Sequence, residues 1–325
     1  NFFDNDPILS REGKAVQTLG ESSAVTVEAA IEFMRKHAAG SRPFLALVWF
    51  GSPHQPHQAL EQDRAPYSGL EESLQHFYGE ITGMDRAFGM LRNELRALGI
   101  HRNTILWYCS DNGGLAGIGS TGGRGHKAEI YEGGLRVPAL LEWPDRLPGP
   151  GTTAIPCNTE DIYPTLLEIT GVQVENQPPL DGISLVPLLD GKMKARPKPM
   201  GFWDYPVPGI GTPSKQWMTE LLQAQRDGSE VGDSSRLRLE AGEISGQYPE
   251  DSFPGHAAWL DWPWKLHRIQ DEDGGVRFEL YNLADDPREQ DNVLDRQQRR
   301  AESMKSGLNE WQESVVRSLN GRDYL

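Results

Sequence analysis

Three short stretches of this 325-residue chain hold side chains that could do chemistry together. In the first, the apolar run Thr104–Cys109 ends in Ser110-Asp111-Asn112-Gly113-Gly114. Asp111 and Asn112 offer oxygen ligands, which suit a hard cation such as Ca²⁺ or Mg²⁺ better than zinc. Two oxygens are too few to hold Ca²⁺, so further carboxylates must come from elsewhere. Taken alone, Asp-Asn-Gly-Gly also reads as an ordinary turn, because these residues suit left-handed and Asx geometry. In the second stretch, a glycine-rich loop leads to Arg124, His126 and Lys127, then to Glu132-Gly-Gly-Leu-Arg-Val-Pro138. Cationic groups among accessible backbone N–H groups can hold a tetrahedral oxyanion; the plainer reading of Lys127 is an exposed loop lysine. The third stretch is Gly51-Ser-Pro-His54-Gln-Pro-His57. His54 could act as a general acid or donate to a substrate oxygen. Alternatively, His54 and His57 could be zinc ligands with Asp111 as a third. A loop histidine by itself is usually just solvated.

The elements that must position these residues follow from periodicity. Phe44–Phe50 is a continuous apolar run of strand length, which predicts a strand buried on both faces. Its prolines place His54 and His57 on a loop at the strand end. Leu74, Phe77, Ile81, Met84, Phe88, Leu91, Leu95 and Leu98 mark one face of a long helix, closed by Gly99. A strand over 104–109 follows. Strand, helix and strand predict a right-handed crossover with parallel strands, so that both loops open at one sheet edge. That topology would bring His54 near Asp111.

Helices are also predicted from Ser22 or Ser23 to about Ala38, over 159–170 with Gly171 as its stop, and from about 295 to 319. Ser184–Leu189 reads as a short helical turn, 137–143 as a strand, and 258–268 with 276–281 as a hairpin. Residues 1–20 show no clear element. Residues 192–254 read as irregular loops joining a second subdomain.

The net charge of −15 argues against a general nucleic-acid binder. It leaves room for an anionic small substrate, since salt screens the distant field around a local basic pocket. No run is long and apolar enough to predict a membrane-spanning helix. The two cysteines, Cys109 and Cys157, make neither a disulfide framework nor a zinc cluster, and Cys109 reads as a buried hydrophobe. The chain begins Asn1-Phe-Phe-Asp4 without Met, basic n-region or signal-type apolar run. It reads as starting in the middle of a protein, so the compartment is not legible.

Placed together, the motifs resemble those of the sulfatase family. Phe50–His57, Ser110–Gly114, Gly125-His-Lys127 and Tyr131–Pro138 occur in the family's order. Trp264-Lys-Leu266 and the run Glu279–Asn292, with its Asp-Pro-x-Glu turn, resemble the family's C-terminal hairpin, and Asp6–Gly13 resembles the segment before its mid-chain helix. The resemblance implies an alkaline-phosphatase-like α/β sheet flanked by helices, N-terminally truncated, over residues 1–195. A linker and a small C-terminal α+β subdomain with an antiparallel sheet would occupy 196–325. It implies Asp111 and Asn112 as ligands of a divalent cation, usually Ca²⁺. It makes His54 the contact to the sulfate or leaving group and Lys127 the contact to the sulfate oxygens. His57 has no secure counterpart and stands as a substrate-side candidate. The irregular segment 202–256, with Trp203, Tyr205, Trp217 and His256, is where sugar-binding side chains are expected. A periplasmic or extracellular location is implied by the resemblance alone.

The departures shape the functional expectation. The family's nucleophile is a formylglycine made in a Cys/Ser-x-Pro-x-Arg motif, and no such motif occurs here. The family's N-terminal aspartate pair and the Lys and His that flank its nucleophile are absent too. The expected activity is therefore hydrolysis of a sulfate ester of an aryl or carbohydrate substrate, with the nucleophile supplied by an upstream segment and the chain alone inactive. Rival readings are a phosphate or phosphonate ester hydrolase of the same superfamily, towards which His54-x-x-His57 leans, and a non-catalytic protein that binds sulfated glycans. A homo-oligomer is also expected if missing strands leave an exposed edge.

Overall fold

The computed structural model describes residues 5–119, 121–206, 213–229 and 248–324. They form two compact units that do not follow chain order: 5–105, 143–145 and 213–229 in the first, and the remainder in the second.

The first unit opens with a hairpin, β1 (Ile8–Arg11) and β2 (Lys14–Gln17), in residues expected to hold no element. Its two-residue turn places both Glu12 and Gly13 at positive φ, the geometry of a type I′ turn. Glu-Gly is not the usual sequence signal for that turn, which is why it reads as unstructured. Helix α1 (Ser22–His37) starts where Glu21 accepts the backbone N–H groups of Ser23 and Ala24. Its buried face, Val27, Ile31 and Met34, packs against α3 (Glu72–Ala97). Gly99, at φ +71°, ends α3 as expected. Between them lies the short α2 (Glu61–Arg64).

Residues 44–50 depart from expectation. They join no ladder, and Leu45, Leu47 and Trp49 are 61%, 69% and 79% exposed. An apolar run becomes a buried strand only when neighbours pair both edges and cover both faces, and the described residues of this unit supply none. Among the described residues, β3 (Leu106–Cys109) finds its ladder partner in β4 (Ala139–Glu142), and the pair is antiparallel where a parallel partner was expected.

The second unit holds β3 and β4, α4 (Glu132–Leu135), α5 (Ile162–Thr170) and α6 (Val186–Leu189). It also holds a four-stranded antiparallel sheet in the order β5 (Met200–Asp204), β6 (His256–Asp261), β7 (Trp264–Gln270), β8 (Val276–Asn282). The expected single strand over 258–268 is two strands. Trp262 and Pro263 form a tight connection, and a proline there cannot continue a ladder.

Strand β5 and helix α7 (Ser214–Asp227) fall where loops were expected. Both are specified by distant partners. Strand β5 pairs with β6 some fifty residues on. In the first unit, the Gln225 side chain brackets the Ala15 backbone, with Nε2 donating to its carbonyl at 3.0 Å and Oε1 accepting its N–H at 2.7 Å.

The sheet has two unlike faces. Ala257, Leu266 and Leu280 point to α8 (Gln298–Leu319) and build a core with Ala301, Met304 and Leu308. By the two-residue alternation of a strand, Lys265, His267, Glu279 and Tyr281 point the other way. That second face is polar, yet Lys265 and His267 are fully buried.

Candidate functional site

In the second unit, β3 delivers Asp111 and Asn112 to a loop closed by backbone contacts. Gly113 N–H donates to Gly134 O at 2.8 Å, Lys127 N–H to Gly114 O at 2.8 Å, and Gly133 N–H to Arg124 O at 2.7 Å. Only glycine permits this packing. A Cβ on Gly113 would lie 1.9 Å from Gly133 O, and one on Gly133 would lie 2.1 Å from Gly125 O. The close approach ties the Asp-Asn pair and the Lys127 loop into one interlocked strand end. Asn112 Nδ2 donates to the exposed Asp111 carboxylate.

The oxygen donors of this pair suit a hard divalent cation, but two are too few to hold one. No group of three or more His, Cys, Asp or Glu side chains among the described residues is placed to bind a metal. Burial, with Asp111 adding to it, pushes the Cys109 thiol up, so it is not a ready thiolate.

The polar face of the sheet is roofed by the stretch that follows Lys127. Lys265 Nζ reaches Glu132 Oε1 and Glu289 Oε1, each at 2.9 Å. Glu289 Oε2 accepts the Glu132 N–H at 2.7 Å, and its Oε1 also meets His267 Nε2 at 2.8 Å. His267 Nδ1 lies 2.9 Å from His256 Nε2. Beside this chain, Glu279 Oε2 accepts the hydroxyls of Tyr281 at 2.8 Å and Tyr131 at 3.0 Å, while the Arg124 guanidinium lies 3.8 Å over the Tyr131 ring. Burial alone would raise the Glu279 carboxyl, but the Tyr281 hydroxyl, Arg277 and Tyr131 outweigh it and hold it low. Burial and the Glu279 charge push Tyr131 up to about 12.

The sequence alone does not mark these buried groups as site residues. A strand that alternates Trp-Lys-Leu-His suggests a solvated polar face, and only the roof turns it inward. The signal lay in the recurrence of Glu132 and Glu289 within two of the quoted motifs.

In the first unit, α3 grips the histidine loop. Its Glu80 Oε1 accepts Gln58 N–H at 2.5 Å and its His76 Nδ1 accepts Ala59 N–H at 3.2 Å. Phe77 packs edge-on against the His57 ring at 5.3 Å between centroids. Gly79 makes room, since a Cβ there would sit 2.6 Å from that of Ala59. His54 and His57 part company. His54 is exposed, and its Nδ1 donates to Gln55 O at 2.7 Å. His57 turns its Nε2 into the protein without a hydrogen-bond partner among the described residues, and burial lowers its basicity, opposed by a backbone bond to Pro53. Each unit thus assembles its own expected residues: the histidine loop in the first, and Asp111, Asn112, Lys127 and His256 in the second.

Of the aromatics expected to bind sugars, Trp203 serves the core instead, with its Nε1 donating to Pro254 O at 2.7 Å and its ring against Trp311. Tyr205 packs edge-on against Trp203 and Tyr248, and Trp217 lies on α7. Residues 207–212 and 230–247 of that segment lie outside the described residues.

The chain is similar to known proteins over most of its length. Rat arylsulfatase G is 29% identical over 180 residues, which cover 51% of this chain and 33% of that protein. The chain spans about a third of the length of this curated relative. Among solved structures, Ps i-CgsB in complex with k-i-k-neocarrahexaose superposes with a TM-score of 0.72 at 21% identity, covering 98% of this chain and 65% of that one. BT4656 in complex with its substrate D-glucosamine-2-N,6-O-disulfate superposes with a TM-score of 0.63 at 17% identity, covering 95% and 73%. These likenesses show the alkaline-phosphatase-like fold. The profile described as Sulfatase matches residues 2–172, more than half of the chain. The chain belongs to the sulfatase family.

Proposed function

We propose that this chain forms the sulfate-holding side of a sulfuric ester hydrolase acting on a sulfated small molecule or glycan. The observation that carries the reading is the glycine interlock, which binds the Asp111-Asn112 strand end to the loop bearing Lys127. Lys127 is assigned to the sulfate oxygens, where a fixed positive charge stabilises negative charge developing in the transition state. Asp111 and Asn112 are assigned as two oxygen ligands of a divalent cation, Ca²⁺ or Mg²⁺. When bound, such an ion would act as a Lewis acid on the sulfuryl oxygens. His54 is assigned to the leaving group. Its Nδ1–H is already engaged with Gln55 O, so Nε2 is the atom that would carry a proton to the departing oxygen. His57 is assigned to the substrate side of the same loop, and His256 to the sugar. The nucleophile is assigned to a polypeptide segment outside these 325 residues, because neither cysteine here lies in a Cys/Ser-x-Pro-x-Arg context.

A carbohydrate sulfate is favoured by likeness to proteins solved with saccharides. The test is turnover of 4-nitrophenyl sulfate and of glucosamine 6-sulfate. The chain alone is expected to be inactive, and measurable turnover by it would overturn the assignment of the nucleophile. A protein that also carries the nucleophile motif is expected to turn over both. In that protein Lys127→Ala should cost roughly 10²–10³-fold in kcat, the range for losing one oxyanion-stabilising group. Unchanged kcat would remove Lys127 from its role.

A further inference from the structure

The polar face of the sheet carries a directed chain of hydrogen bonds that ends at one nitrogen. Glu289 is fully buried, and its carboxylate accepts from Lys265 Nζ, from Glu132 N–H and from His267. A carboxylate held by such donors can only accept, so His267 Nε2 must carry its proton. His267 Nδ1 is then a lone pair in the neutral ring, and the nitrogen 2.9 Å away, Nε2 of His256, must donate to it. This leaves Nδ1 of His256 as the acceptor end. His256 is half-buried at the start of β6, and its ring packs against Tyr131, four residues beyond Lys127 on the same loop. Nδ1 has no hydrogen-bond partner among the described residues.

We propose that His256 Nδ1 accepts a hydrogen bond from a hydroxyl group of the substrate, with His267 and Glu289 as positioning residues that keep the proton on its other nitrogen. This rests on the sulfate-ester reading and narrows it: an aryl sulfate lacks such a hydroxyl, and a sugar sulfate has several. The surroundings agree. The titratable and charged groups facing the two rings are Lys265, Glu279, Glu289, Arg277, Arg124, Tyr131 and Tyr281. Burial first, then His267 and Lys265, push His256 down to about 3, and burial with Lys265 holds His267 well below its ordinary value. Both rings stay neutral where an imidazolium would instead seek the sulfate.

The test is imidazole ¹⁵N spectroscopy on the full chain, which requires no turnover. His256 and His267 are expected as Nε2–H tautomers, with His256 unchanged from pH 8 to about 5. Galactose 4-sulfate or glucosamine 6-sulfate should shift His256 Nδ1, and inorganic sulfate should not. His256→Ala should weaken binding of the sugar sulfate about three- to tenfold, the range for one neutral hydrogen bond, and His256→Gln, whose amide oxygen accepts, should restore most of it. Glu289→Gln should mix the His256 tautomers. An Nδ1–H tautomer, titration near the ordinary value, a shift with inorganic sulfate alone, or a resonance that neither sugar moves would each overturn the proposal. The sulfatase reading is judged separately by turnover of 4-nitrophenyl sulfate in the protein that carries the nucleophile.

Discussion

At the scale of single residues, the buried ions decide most. Lys265 balances Glu132 and Glu289 inside the second unit, and removing one partner strands charge where water cannot reach it. Lys265→Met is expected to cost about 3–5 kcal/mol in urea denaturation of the chain, the range for breaking a buried ion pair. A cost below 1 kcal/mol would mean that water already enters the cluster. In the first unit, burial pushes the Glu80 carboxyl up to about 7, opposed by the Gln58 N–H and aided by Glu21. Because the folded value lies above the unfolded one, its stabilising share is complete below about pH 4.5 and fades as pH rises through 7. Glu80→Gln keeps an acceptor for Gln58 and removes the charge. It should match the parent near pH 4.5 and exceed its stability at pH 8 by about 3 kcal/mol. Parallel pH–stability curves for the two proteins would refute this.

At the scale of elements, the loop chemistry depends on backbone touching backbone. Gly133→Ala sets a Cβ 2.1 Å from the Gly125 carbonyl, with no flexible side chain to give way. The expected result is faster hydrogen exchange across 110–136 and a loss of about 1–3 kcal/mol, as for overpacking elsewhere. Unaltered exchange there would show that the interlock is dispensable. Gly79 plays the matching part on α3, where it lets Ala59, and with it the histidine loop, lie against the helix.

At the scale of the whole molecule, charge and exposed apolar surface act in different directions. A net charge of −15 keeps copies apart at low salt, while Leu45, Leu47 and Trp49 offer an apolar strip to any partner. Self-association is therefore expected to grow with ionic strength. In sedimentation at 0.5 M salt the chain should run heavier than its 36.2 kDa, and Leu45→Lys with Leu47→Lys should restore the single-chain mass. A parent chain that stays at 36.2 kDa at every salt concentration would show that the strip is covered in solution.

Much is legible in the sequence, because it is local. Helices α1, α3, α5 and α8 announce themselves by spacing, and Gly99 and Gly171 stop theirs in the left-handed conformation. The loop position of His54 and His57 and the strand-end position of Asp111 and Asn112 follow from prolines and apolar runs along the chain. What depends on distant partners was not legible. The pairing of β5 with β6, the grip of Gln225 on β2, and the exposure of 44–50 turn on residues far along the chain. The same holds for the candidate site. The sequence by itself determined that a carboxylate, an amide, a lysine and two histidines stand at loop positions able to carry chemistry. Only the tertiary structure decided that Lys265, His267, Glu279 and Glu289 lie under the stretch that follows Lys127, with His267 against His256. A strand's period of two says which residues share a face, but not whether that face meets water or a roof.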